Sequence, residues 1–322
     1  VTSEFAFIEA LRAIATDPAA RGLDDDAAVI EIGGEKLVLT MDTVVEGVHF
    51  LPADPPADVA WKLVAVNVSD LAAKAAQPLG CLYSHALGEA AWDAAFLVGL
   101  RAAADHFALP LLGGDTVRMP EGAPRSFSLT ALGRGPHGCP VPSRSGARPG
   151  DRVWVSGTIG DSGVGLALLD GKLNAATLSA ENARWLSQRY RRPSPVPALG
   201  AALGPMVNAM MDISDGLLVD ARRMAGASAV RIVLGLESVP LSRALRETAG
   251  QDRAARIAAV TAGDDYCLLF TAPPERTAGI REAAAGLGCE VNAVGVVVKG
   301  DGLTLMHDDE PVPLPERLGY QH

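Results

Sequence analysis

The sequence predicts an α+β protein of two domains. Its 322 residues are ample for two cores of ordinary size. Short apolar runs with strand character are interleaved with amphipathic helical stretches, but not in the strict strand–helix–strand alternation of a doubly wound sheet. The stretch GRGPHGCPVPSRSGARPGD at 133–151 is dense in Gly and Pro and reads as a boundary. The division falls at 138, giving a mixed-sheet N-terminal domain over 1–138 and a C-terminal domain over 139–322.

Residues 4–15 carry an amphipathic helical pattern. Strands are expected at 27–32 and 36–42, split by the turn GGEK. DVAWKLVAVNVSDLAAKAAQ reads as a helix capped by Asp58 and ended by Pro78. GCLYSHAL is a strand, AWDAAFLVGLRAAADHF a helix, LPLLGG at 109–114 a short strand, and RSFSLTALGRG another. Beyond the boundary, RVWVSG, MVNAMMDI, AVRIVLGLE, DYCLLFTA and EVNAVGVVVKG have strand character. GVGLALLDG, AENARWLSQRYRRP, DGLLVDARRMAGAS and RTAGIREAAAGLG have helix character.

Composition narrows the function. Apolar residues make up 48% of the chain and the net charge is −10; 23 Arg and five Lys form no basic block, so nucleic-acid backbone binding has little support. Cys81, Cys139, Cys267 and Cys289 are far apart with no C-x-x-C pair, which argues against a zinc site or a disulfide framework and fits a reducing cytoplasm. The N-terminal stretch lacks the pattern of a signal peptide, and every long apolar window is broken by charge, so no membrane partner is expected.

The informative feature is where the aspartates stand. Asp42 closes the apolar run LVLTM, Asp115 follows two glycines in PLLGGDT, and Asp212 and Asp215 end NAMMDISDG. Asp70 stands with Asn67, three residues earlier, on one face of a helix that is apolar nearly all round. Asp24, Asp25 and Asp26 precede another apolar run. Each has a bland alternative: a solvated acidic turn for 24–26, a cap or Asx-turn for Asp42, an Asp70–Lys74 pair, or a helix N-cap at Ser214 or Asp215. Together they ask for a shared partner, because an unpaired carboxylate at the end of a core strand costs several kcal/mol, on the order of 3–5. Carboxylates and hydroxyls without a Cys or His cluster are hard-ligand chemistry, which points to Mg²⁺ or Mn²⁺ rather than zinc, and magnesium is commonly shared with the phosphates of a nucleotide. No P-loop pattern is present, so aspartate-held metal would have to neutralise the triphosphate.

In order and spacing, GLDDDAAVI, MDTVVEGVHF, AVNVSDLAAKAAQP, GGDTVR, SRSGARPGD, MDISDGLLVD and GDDYCLLF resemble the thiamine-monophosphate kinase family, in the ATP-binding superfamily of aminoimidazole ribonucleotide synthetase. The resemblance implies an N-terminal domain that pairs two chains through its sheet, a homodimer, and an ATP and multi-Mg²⁺ site in the cleft between the domains. Carried over by position, it implies metal ligands at Asp26, Thr40, Met41 (through its carbonyl), Asp42, Asp70, Asp115, Asp212 and Asp215. It implies ATP contacts at Gly114, Asp115, Arg144 and Ser214, and thiamine monophosphate contacts at His49, Asp264 and Tyr320. The chain departs from the family pattern in Asp24 for Gly, Met41 for Ser or Thr, and Asp264 for Glu.

The implied reaction moves a phosphoryl group from ATP to thiamine monophosphate, giving thiamine diphosphate, the last step in making that cofactor. Its acceptor is a phosphomonoester with a second pKa near ~6, already a dianion at neutral pH, so no catalytic acid or base is assigned. The barrier is the approach of two anions. Two other readings compete: the same ATP site with an amide or ribonucleotide acceptor, and a catalytically silent nucleotide-binding protein.

Overall fold

The computed structural model describes residues 4–174 and 178–320. Two sheets organise it. The N-terminal sheet holds β1 (Ala28–Ile32), β2 (Glu35–Val45), β3 (Gln77–Leu87), β4 (Leu111–Arg118) and β5 (Ser126–Arg134), in the order β1-β2-β5-β3-β4. All neighbours are antiparallel except β3 and β4. Gly33 and Gly34, both at positive φ, make the two-residue turn between β1 and β2, where Ile32 pairs with Glu35.

Alternation gives this sheet two unlike faces. Val38, Val44, Phe127, Leu129, Cys81 and Tyr83 point into a core shared with Leu63, Val64, Val68 and Leu71 of α2 (Pro56–Ala73) and Phe96 and Leu100 of α3 (Ala90–His106). The opposite face carries Ile32, Met41, Leu82, Leu112 and Val117, at 58, 65, 48, 61 and 43% exposure. No element of this chain covers it among the described residues.

The C-terminal sheet holds β6 (Arg152–Ser156), β7 (Ala209–Ile213), β8 (Arg231–Gly235), β9 (Cys267–Ala272), β10 (Val291–Val298), β11 (Gly302–His307) and β12 (Glu310–Val312), in the order β12-β11-β8-β10-β6-β9-β7. Only β8 and β11 run parallel. One face packs Val153, Val155, Met211 and Leu269 on Leu217, Leu218 and Met224 of α7 (Leu217–Ser228). Trp154, Met210 and Phe270 face the other way, onto Leu199 and Leu203 of α6 (Pro197–Leu203), Ile280 of α10 (Thr277–Gly286), and Ala72, Ala73 and Ala75 at the end of α2. The helix α2 therefore serves both cores. The remaining helices are α1 (Glu4–Arg12), α4 (Asp161–Leu169), α5 (Ala180–Arg191), α8 (Arg243–Ala249) and α9 (Arg253–Thr261).

The α+β expectation holds, and several local ones need correction. Asp58 is not a cap: Pro55 occupies that position without a side-chain bond, and Asp58 pairs with Arg192 from the first turn. Pro78 does not end α2, which stops at Ala73 before Ala75 turns left-handed; Pro78 lies in β3. The strand expected at 109–114 runs from Leu111 to Arg118, because pairing with β3 carries it past the glycines. β2 extends to Val45, so Asp42 is a mid-strand residue rather than a cap. The first helix stops at Arg12. Helices α6 and α8, at 7 residues each, were too short to announce themselves by period, and the 9-residue α9 was passed over although it is amphipathic. The hairpin β11–β12 turns on Asp308 and Asp309, both at positive φ, without the usual Asn-Gly or Asp-Gly signal.

Candidate active site

A cavity lies where the two cores meet. It is lined by Asp42 and Val44 of β2, His49, Val66 and Asp70 of α2, Asp212 at the end of β7, Ser214, Asp215, Asp264, Tyr266 and Tyr320. Eight of the residues singled out from sequence thus share one wall: Asp42, His49, Asp70, Asp212, Ser214, Asp215, Asp264 and Tyr320.

Local chemistry sets each carboxylate. The Asp42 amide donates to Asn67 Oδ1 at 3.1 Å, and Asn67 Nδ2 donates to the Leu63 carbonyl at 2.9 Å. This buried amide fixes β2 against the face of α2 that also presents Asp70. Thr40 donates its hydroxyl to Asp70 and lies 3.3 Å from the Asp26 carbonyl. Ser69 Oγ donates to Asp212 Oδ2 at 2.7 Å, joining α2 to β7. Burial, with the charges of Asp26 and Asp215, pushes the Asp42 carboxyl up to about 6. Burial raises Asp70 well above its ordinary value, with Asp42, Asp212 and Asp26 adding to the effect. Asp212 is raised in the same way by burial and Asp26.

The nearby cations are committed elsewhere. Lys74, fully buried, pairs with Asp25 and, at 2.8 Å, with Asp26; Arg144 also binds Asp26. Arg223 pairs with Asp215 and with Asp220 at 2.8 Å. Asp42, Asp70 and Asp212 are left with hydrogen bonds but no ion pair among the described residues. Burial and their mutual charge raise all three carboxyls together.

Several bland alternatives fail. Asp25 and Asp26 are no solvated turn: both side chains are 2% exposed, and only Asp24, paired with Arg12, lies at the surface. Burial would raise the Asp25 carboxyl, but Lys74 and Arg21 outweigh it and hold it below its ordinary value. Lys74 pairs with these two, not with Asp70. Arg144 is no solvated linker residue, since its side chain is 20% exposed. Neither Ser214 nor Asp215 caps α7. Gly216 stands there at φ 126, and Asp220 reaches back to accept from the amides of Asp215 and Gly216 at 3.1 and 3.2 Å.

Six expected residues do not line the cavity: Thr40, which donates to Asp70, Asp26 and Arg144, which pair with each other, and Met41, Gly114 and Asp115. Met41 points to the uncovered face. Gly114 and Asp115 lie in β4, three strands across from Asp42. Asp115 continues the row Thr43–Ser128–Ser84, which is the uncovered face, whereas Asp42 faces α2. Gly114 has a structural reason to be glycine, because a Cβ there would stand 1.8 Å from the Tyr83 carbonyl oxygen.

The sequence reading missed Lys62, Ser69, Asp220, Arg223 and Tyr266, and gave Lys74 a different partner from the Asp25 and Asp26 it has. A signal existed for the two lysines: a lysine inside a helix apolar nearly all round cannot be solvated, so it needs an internal partner.

Comparison with known proteins identifies the family. Residues 24–135 match the N-terminal domain of AIR synthase related proteins, and residues 148–308 match their C-terminal domain. The thiamine-monophosphate kinase of Caulobacter vibrioides is 39% identical over 315 residues, covering 95% of this chain and 86% of that protein. The solved structure of AaThiL complexed with AMPPCP and TMP superposes with a TM-score of 0.84 at 32% identity, covering 99% of this chain and 97% of that one. Thiamine-monophosphate kinase from Stenotrophomonas maltophilia gives a TM-score of 0.78 at 38% identity, covering 95% of this chain and 96% of that one. With such relatives matched along nearly its whole length, the chain belongs to the thiamine-monophosphate kinase family.

Proposed function

We propose that this protein transfers the terminal phosphoryl group of ATP to thiamine monophosphate, forming thiamine diphosphate by direct in-line displacement in the cytoplasm, as the last step of thiamine diphosphate synthesis. One observation carries the reading: Asp42, Asp70 and Asp212, from three elements of the two cores, crowd one cavity without a cation, beside His49, Asp264 and Tyr320.

Asp42, Asp70 and Asp212 would hold Mg²⁺, with Asp26 and Asp215 behind them and the Thr40 and Met41 positions contributing from β2. Bound magnesium supplies charge neutralisation for donor and acceptor phosphates. The chain's own groups do the orienting. Thr40 and Ser69 hold the Asp70 and Asp212 carboxylates by their hydroxyls, and Asn67 holds the backbone at Asp42. Ser214 and Arg144 stand on the donor side, where the guanidinium and a helix start suit nucleotide phosphates. His49, Asp264 and Tyr320 shape the acceptor side. No side chain needs to take a proton, because the attacking phosphate oxygen is already ionised near neutrality.

The working unit is a homodimer. An uncovered face with Ile32, Met41, Leu82, Leu112 and Val117 on it is what a second copy buries. Asp115 and Gly114 stand on that face or its edge strand, so in a dimer they would be presented to the site of the other copy. The division at residue 138 into an N-terminal metal and nucleotide domain and a C-terminal domain completing the site is part of the same reading. It is supported by the irregular segment between β5 and β6.

Incubation with ATP, Mg²⁺ and thiamine monophosphate, scored for thiamine diphosphate, tests the proposal. Product from an amide or ribonucleotide acceptor instead would favour a synthetase-type reaction, and ATP binding without any product would favour a silent binding protein.

A further inference from the structure

Lys62 sits in the middle of α2 with its side chain 3% exposed, in a helix where most neighbours are Val, Ala and Leu. A lysine in such a place must be fully partnered or it destabilises the fold. Its ammonium donates to the His49 carbonyl at 2.9 Å and to Asp264 Oδ2 at 3.0 Å, and it stands 3.9 Å over the ring of Tyr190. Tyr190, from α5, reaches the same His49 carbonyl with its hydroxyl at 3.4 Å.

The two groups gripped by this one ammonium come from opposite halves of the molecule, and both residues line the cavity. The turn that carries Asp264 is a constrained one. Asp264 and Tyr266 both have positive φ, at 67 and 50, a region that side chains other than glycine rarely occupy. It is held by hydrogen bonds, the Asp264 amide donating to the Ser214 carbonyl at 2.7 Å and the Tyr266 amide to the Ile213 carbonyl at 2.8 Å. The Tyr266 hydroxyl donates to the remaining Asp264 oxygen at 3.0 Å. Both oxygens of Asp264 are thus anchored from within the protein.

We propose that Lys62 is a positioning residue for the phosphate acceptor: it locks the His49 loop to the Asp264 turn and so sets the width of the acceptor subsite. A purely structural role is a poor explanation, because a buried ion pair seldom stabilises a fold more than apolar packing of the same volume. The inference rests on the reading of this cavity as the thiamine monophosphate site.

The test is steady-state kinetics of Lys62→Met, which keeps the stem against Tyr190 and loses the ammonium. The expected result is a rise in KM for thiamine monophosphate of about tenfold or more, as befits lost charge-assisted hydrogen bonds, with KM for ATP within about twofold and kcat within about threefold. Tyr190→Phe, a milder change that loses only the hydroxyl on the His49 carbonyl, should raise the acceptor KM by about threefold and leave that for ATP unmoved. It keeps the test in force if Lys62→Met does not fold. Equal changes in both KM values, a loss confined to kcat, or no change at all would overturn the role of Lys62. Wild-type protein that forms no thiamine diphosphate would sink the cavity assignment itself. A working wild type with unmoved variants would sink only the positioning role.

Discussion

The two sheets of this protein are built from similar material and finished differently. The C-terminal sheet is sealed on both faces, by α7 on one side and by α6, α10 and the end of α2 on the other. The N-terminal sheet is sealed on one face only, and its second face presents Met41, Leu82 and Leu112 at roughly half exposure or more. Each sheet also carries aspartates in its strands, and the same difference governs their fate. Asp212 is buried against α2 through Ser69, while Asp115 stands in an edge strand exposed along its whole length. A sealed face yields a site within one chain, and an open one yields a site only when something covers it.

The strongest way to probe the sealed side is to neutralise its carboxylates. Asp42→Asn and Asp212→Asn should each lower kcat by about a thousandfold or more, because the lost charge acts in a desolvated site. Both variants should stay folded, and in the absence of metal they should melt no lower than wild type, since like-charge repulsion is relieved. Thermal melts with and without Mg²⁺ check this: the cation should stabilise wild type and have little effect on Asp42→Asn. Near-normal turnover in both variants would remove the metal assignment.

The open side predicts a different failure. Met41→Lys combined with Leu112→Lys should give a folded monomer by sedimentation, with turnover lowered about a hundredfold through loss of the partner's Asp115. A lysine at Val153, on a sealed face, should instead cost several kcal/mol (about 3–5) and unfold the chain. A folded, dimeric and active double variant would show that the uncovered face is not the interface.

Mixing sharpens the contrast. Asp42→Asn and Asp115→Asn homodimers should both be inactive. A purified heterodimer of the two has one site with both lesions and one with neither, so it should recover about half of wild-type activity. An inactive heterodimer would mean that Asp42 and Asp115 serve the same chain.

The smallest effect concerns pH. Asp265 accepts from the Gly160 amide at 3.0 and 2.9 Å and from Ser162 at 3.1 Å, and burial pushes its carboxyl from 3.8 up to about 8. A raised folded-state pKa means that the native state keeps a proton the unfolded chain has released. The group's contribution is therefore fully present below about pH 4, falls as pH rises to about 8, and is flat above that. Relative to Asp265→Asn, wild type should lose about 4 kcal/mol, or roughly 6 °C of Tm, between pH 5 and pH 8. A constant difference would contradict the raised value.

Much of this was legible in the chain. Carboxylates at apolar strands and inside an apolar helix marked Asp42, Asp70, Asp212 and Asp215, and the structure brings all four to one cavity. The all-round apolar pattern of α2 showed that Asp70 could not be a surface residue. Lys62 was legible in the same way and was passed over, although a lone ammonium in such a helix demands a partner as surely as a carboxylate does. Asp220 was not legible, because at four residues past Gly216 it looks like any exposed helical acid until the turn folds back onto it.

The sequence by itself determined which side chains could carry charge into the interior, because burial pattern and residue type are local properties read along the chain. Tertiary structure alone decided which of them meet. Strand order and face are set by pairing between distant segments, and a shift of one residue or one strand moves a side chain to the other side of a sheet. That is why two aspartates with the same local signature, Asp42 and Asp115, face opposite ways three strands apart.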